Sequence, residues 1–241
     1  MKKHLITLLI GLVLVFAASG VQAVSSVDLY DWGFNIDGTV YNKISNGNVP
    51  GDLPGYVSTG GLDFGTGLGS VSVTITGTGS HSLISFFDHE IDEIINGYTN
   101  EFGDSHGALA TGQSWEIDEP GWVFGDIFTN FSAGSLDNSN GVQSSSPDDV
   151  SLALGWDFTL ASGETALIDF LLSYDAPSSG FYLSQTDPDS GAEIYLSSTK
   201  QVRGGGCTNN CPVPEPGTVI LLGSGIAGLF FFGKKRLSNK A

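Results

Sequence analysis

The chain has 241 residues, with 26 Asp and Glu against nine Lys and Arg and a formal net charge of −17. All the acids lie between residues 24 and 216, where Lys43, Lys200 and Arg203 are the only basic residues. Such a surface repels phosphate backbones and anionic lipid, which excludes nucleic acid as a partner and favours solubility, divalent cations and a hydrated extracellular matrix.

Residues 1–23 read as a secretory signal peptide. Lys2 and Lys3 form the positive start, Leu5 to Ala18 the apolar stretch, and Val21-Gln22-Ala23 a small-x-small site with cleavage after Ala23. An uncleaved anchor helix is the competing reading. No cysteine stands near the site, so N-terminal lipid attachment is excluded.

Residues 24–203 suffice for one domain with its own core, or two small ones. Their Gly, Ser and Thr content, dispersed aromatics and lack of a long helix-forming run predict an all-β ectodomain. Leu29 to Tyr41 reads as an opening hairpin. Val71-Ser72-Val73-Thr74-Ile75-Thr76 alternates with period two, the mark of a strand with one buried face. Gly77 to Ser80 follows as a turn, and Ser82 to Phe87 as a returning strand. Ile91 to Phe102 reads as a short helix or ordered loop, Asp118 to Trp122 as a turn followed by aromatics, and Ser135 to Asp149 as an exposed polar loop. Val150 to Leu160 carries a strand with Trp156 and Phe158, joined by a turn at Ala161 to Glu164 to Thr165–Tyr174. Phe181–Gln185 and Glu193–Ser197 are shorter strands. Turns at these intervals predict a β-sandwich, of which a jelly roll is one form.

Four stretches offer chemistry. Asp88-His89-Glu90-Ile91-Asp92-Glu93 is the densest ionisable cluster, with His81 and His106 nearby in sequence. His89, Glu90 and His106 are ligand types that zinc accepts, but the helical His-Glu-x-x-His spacing is absent. On a strand, His89 would face away from Asp88 and Glu90, so a hydrogen-bonded or hard-cation-binding cluster fits better. Glu90, Glu116 and Asp118 are candidate carboxylates for glycoside hydrolysis, a mechanism that depends on a separation no sequence reveals. Asp187, Asp189 and Glu193 place oxygen ligands around a glycine turn, a pattern that calcium favours and that a plain Asp/Gly turn also produces. Cys207 and Cys211, in an exported chain, are expected to form a disulfide next to the tail, with reactive thiols as the other use. The tryptophans and tyrosines suit either a core or a sugar-stacking surface, and the core is the commoner use in a sandwich. Neither Gly-x-Ser-x-Gly nor a phosphate-binding glycine loop occurs.

After a linker at 204–212 come Val213-Pro214-Glu215-Pro216, an uncharged apolar run over 218–233, and the basic cluster Lys234-Lys235-Arg236. As a helix the run would span about 24 Å, enough to cross a membrane with the cations snorkelling on the cytoplasmic side. This order of parts resembles the PEP-CTERM sorting signal of exopolysaccharide-producing Gram-negative bacteria. The resemblance extends to the stretches around Asp88–Glu93, Trp115–Trp122 and Leu154–Phe158, which are similar to patterns in PEP-CTERM ectodomains. It implies a transient membrane anchor over 213–241, read and cut by an exosortase-type membrane enzyme, and delivery to the cell surface or medium.

The expected function is that of a noncatalytic surface or matrix protein associated with exopolysaccharide. A polysaccharide-acting enzyme and a calcium-dependent adhesin or carbohydrate-binding module are the rivals. No cofactor beyond calcium is expected. An open acidic–aromatic groove would favour the enzyme, a smooth sandwich the structural role, and calcium at Asp187, Asp189 and Glu193 the adhesin.

Overall fold

A computed structural model describes residues 26–46 and 50–204. The signal segment with Ala23, the Cys207–Cys211 pair, Val213–Pro216, the 218–233 span and Lys234–Arg236 lie outside the described residues. Among the described residues no helix is long and apolar enough to cross a membrane.

Among the described residues, eleven strands form two antiparallel sheets. One has five strands in the order β2 (Thr39–Asn42), β1 (Val27–Ile36), β5 (Gly79–Ile91), β8 (Ser151–Leu160) and β7 (Gln113–Asp118). The other has six, in the order β3 (Val57–Leu62), β4 (Gly69–Thr76), β9 (Glu164–Ser173), β11 (Ala192–Gly204), β10 (Tyr182–Asp187) and β6 (Phe102–His106). Side chains of both sheets meet in one core, with Phe34, Leu83, Phe87, Leu152 and Leu154 packing with Val71, Val73, Ile168, Phe170 and Leu196. The predicted all-β sandwich is therefore the observed architecture.

The opening hairpin forms as expected. Asp37 and Gly38 both take positive φ, 50° and 81°, as the two-residue turn joining β1 to β2 requires. The returning strand after Gly77 is a correction. β4 and β5 exist, but β4 pairs with β3 and β9, whereas β5 pairs with β1 and β8. The short Gly77–Thr78 link thus crosses between sheets, a passage eased by the positive φ of Gly77 and Gly79, 114° and 131°. The turn at Ala161 to Glu164 makes the same crossing from β8 to β9.

The two sheets are buried differently. β4 has Val71, Val73 and Ile75 inward and Thr74 and Thr76 exposed, as its alternation dictates. β5 is buried on both faces from Leu83 to Ile91. Its outer face carries Ile84 and Phe86, covered by Ile127 and Phe131 of a short helix, α1 (Ile127–Ala133), together with Leu136. That helix carries the middle of the chain across the five-stranded sheet. The predicted exposed loop 135–149 also contributes, since Leu136 and Val142 are buried.

Candidate functional site

Where β5 ends, its alternation separates the acid-rich stretch onto two faces. Phe87 and His89 point into the sandwich, their ring centroids 6.1 Å apart. His89 is fully buried, and loss of hydration lowers its pKa to about 4, so the imidazole is neutral. It packs on Gly67, where a Cβ would lie 2.3 Å from Nε2. His81 instead bonds Asp37 at 2.9 Å, and His106 stacks on Tyr182 at 4.7 Å. The three histidines stand in separate environments, and among the described residues no group of three gathered ligands contains one. The zinc arrangement of His89, Glu90 and His106 does not form.

Asp88 and Glu90 point to the outer face, where Asp149 joins them from the segment leading into β8. The antiparallel register explains the meeting: Ser151 lies opposite Asp88, so the residue two before it reaches the same end of the sheet. A double backbone hydrogen bond between Glu101 and Asp148, at 3.1 and 2.9 Å, holds that segment in place. One carboxylate oxygen from each of Asp88, Glu90 and Asp149 lies within 4.8 Å of the others. Ser151 Oγ donates to Asp88 Oδ1 at 2.8 Å. Among the described residues, no group donates to Asp88 Oδ2, Glu90 Oε2 or Asp149 Oδ1. Burial, reinforced by the charge of Asp149, raises the Asp88 pKa well above the usual carboxylate range. Burial and the charges of Asp149, Glu93 and Asp28 raise Glu90 to about 8. Burial and the charges of Asp148 and Glu119 raise Asp149 to about 7.

Glu90 and Asp149 line a recess of about 650 Å³, together with Glu93, Glu119 and Asp148. Its rim is aromatic. Tyr30, Tyr98, Trp122 and Phe124 line it while remaining 43–66% exposed. Tyr30 sits at the irregularity in the β1–β5 register between Leu29 and Asp31, which explains its outward position within a largely buried strand. The loop Glu119–Gly125 is closed at its base where Asp126 N donates to Asp118 Oδ2 at 2.7 Å. Gly125, with φ 77°, packs so tightly there that a Cβ would stand 2.2 Å from the Glu119 carbonyl oxygen.

The other expected residues sit elsewhere. Glu116 accepts from Asn130 Nδ2 at 3.0 Å and Asp137 N at 3.2 Å, which ties α1 and the segment after it to β7. Asp118 serves the loop base, so of Glu90, Glu116 and Asp118 only Glu90 lines the recess. Asp187 is buried in the β10–β11 turn, with both oxygens accepting local hydrogen bonds. Asn100 reaches both Asp187 and Asp189, and Glu193 accepts from Tyr195 Oη at 2.5 Å. Asp187, Asp189 and Glu193 are not drawn together as Asp88, Glu90 and Asp149 are. Trp32 and Trp156 belong to the core, as expected for most aromatics.

Sequence reasoning missed Asp149, placed in an exposed loop, and Glu101. Glu101 is buried and accepts from Ile91 N at 2.9 Å and from Gln185 Nε2, joining the end of β5 to β10. A period-two count along β5 separates Asp88 and Glu90 from His89, but no local signal points to Asp149.

Residues 212–236 match the family model described as the PEP-CTERM protein-sorting motif. No curated protein and no solved structure matches the chain. The matched segment takes in Val213–Pro216, the apolar run and Lys234–Arg236. The chain is thus a PEP-CTERM domain-containing protein, and its motif implies export, sorting at the membrane and processing by an exosortase-type enzyme.

Proposed function

We propose that the ectodomain is a noncatalytic carbohydrate-binding module that associates with exopolysaccharide at the cell surface or in the extracellular matrix. The observation that carries this reading is the recess beside β5, with four partly exposed aromatic rings at its edge and carboxylates within. Sugar rings present apolar C–H faces that stack on such rings, and their hydroxyls donate to carboxylate oxygens. The recess rests on loops anchored to a two-sheet scaffold, the usual placement of a ligand site.

An acidic–aromatic recess also suits a polysaccharide-acting enzyme. The arrangement of acids favours binding. Glu116 and Asp118 are engaged in holding α1 and the 119–125 loop. The carboxylates near Glu90 converge on one point, whereas a hydrolase sets an acid and a second carboxylate on either side of a glycosidic bond. Export through the sorting motif supplies the setting.

The test is binding of the full-length protein to polysaccharide from the producing cells, with released reducing ends followed in parallel. Binding weakened about tenfold by Trp122→Ala, without reducing-end release, is the expected result. Release that disappears in Glu90→Gln would establish the enzyme instead.

A further inference from the structure

We propose that Asp88, Glu90 and Asp149 form a calcium site open to the recess beside β5. The geometry is that of a hard-cation site. Three carboxylates on two segments, about 60 residues apart in sequence, place oxygens within 4.8 Å of one another. Oxygens bound to one calcium ion stand up to about 4.6–5.2 Å apart, so the three fit a single shell, whereas magnesium keeps several waters and is seldom held by such an all-protein carboxylate set.

A second, independent observation points to a ligand. The Asp88 side chain is fully buried, yet its Oδ2 accepts no hydrogen bond among the described residues. Glu90, 6% exposed, has Oε2 in the same condition, as does Asp149 at Oδ1. Buried carboxylate oxygens are normally satisfied by donors, and three gathered carboxyl groups that each keep an orphan oxygen are costly. A divalent cation satisfies all three at once and offsets their mutual repulsion. No Lys, Arg or His lines the recess to do so. The nearby Lys43 ammonium bonds the Leu29 and Tyr30 carbonyls instead.

Asp88 closes the inner side of the site, while Glu90 and Asp149 open onto the recess, so remaining coordination positions face outward. Water would complete the shell in the absence of carbohydrate. Vicinal sugar hydroxyls are the oxygen ligands that would replace it. This extension rests on the carbohydrate reading above, whereas calcium binding itself does not.

The second acidic group, Glu116, Asp126 and Asp137, is a contrast. Its ligand atoms are equally close, but Glu116 accepts from Asn130 and Asp137 N, and Asp137 from Ser139. That group is spent on structure.

The experiment is calcium titration of the EDTA-treated full-length protein by calorimetry, with thermal unfolding followed alongside. One equivalent binding at about 1 mM or tighter is expected, with a higher melting temperature. Glu90→Gln and Asp149→Asn should each weaken binding about tenfold or more, and Asp187→Asn should leave it unchanged. Both amide variants remove repulsion, so in EDTA they should melt no lower than the wild type, which separates lost binding from lost folding. No uptake by folded wild-type protein at 10 mM calcium (about tenfold above the expected range) would overturn the site. So would uptake that survives Glu90→Gln and Asp149→Asn, and magnesium binding as tight as calcium would overturn the choice of ion. Calcium uptake without any polysaccharide binding would leave the site standing and remove the carbohydrate reading alone.

Discussion

At the β10–β11 turn, Asp187 is buried and still satisfied: Asp189 N and Asn100 Nδ2 donate to Oδ1 at 3.0 Å, and Ser190 donates to Oδ2 through both its N and Oγ. At the end of β5, Asp88 is equally buried, but only Ser151 donates to it and Oδ2 has no donor among the described residues. The residue types are the same and the outcomes opposite. An aspartate at a turn has the backbone N–H groups of the next few residues within reach, so local chain geometry supplies donors. Acids brought together by strand register meet other acids, because register aligns whatever the two strands carry. The first arrangement is a structural turn, and the second calls for an ion.

The contrast depends on tertiary convergence, and convergence depends on what covers the outer face of β5. Phe131→Ala is the most damaging test. Its ring is fully buried against Phe86 and Phe128, and the substitution should cost about 3–5 kcal/mol in urea unfolding. A loss below about 1 kcal/mol would show that α1 contributes little to holding this region. Asp187→Ala comes next. It removes the acceptor for both Asn100 and Ser190 and should cost about 1.5–3 kcal/mol by the same measurement, while calcium binding persists. Abolished calcium binding in that variant would collapse the contrast between the two regions.

The smallest effect concerns pH. Burial raises Glu116 to about 7, opposed by its bonds from Asn130 and Asp137 N, with the charges of Asp137 and Asp126 reinforcing the rise. The folded protein therefore holds a proton there that the unfolded chain has released. Its contribution is fully present below about pH 4.5 and fades as pH rises through about 7. Glu116→Gln cannot titrate, so its unfolding free energy should fall less over that window. Equal slopes in the two proteins would show that Glu116 is not held protonated.

Much of the fold was legible. The strict alternation of Val71 to Thr76 marks a strand with one wet face, and the mixed aromatic and polar stretch from Leu29 to Tyr41 reads as a hairpin. Strand pairing was less legible. Gly77 to Ser80 carries the same residues whether the chain turns back within a sheet or crosses to the other. The buried outer face of β5 settles the choice, since Ser82 to Phe87 has apolar residues on both sides and needs covering on both. The candidate site was half legible. Asp88 and Glu90 stood out as a cluster and their separation from His89 follows from strand period, whereas Asp149 lay in a stretch whose polarity suggested exposure.

By itself, the sequence determined the sorting motif, the acidity and the all-β class, because each is a local or summed property: a contiguous motif, a charge count, a period of two. Tertiary structure alone decided which sheet each strand joined, which aromatics reached the surface and which of the 26 acids came together. Those outcomes depend on pairing between segments far apart in the chain, and it is register and the cover over β5, rather than any neighbouring residue, that bring Asp149 beside Asp88.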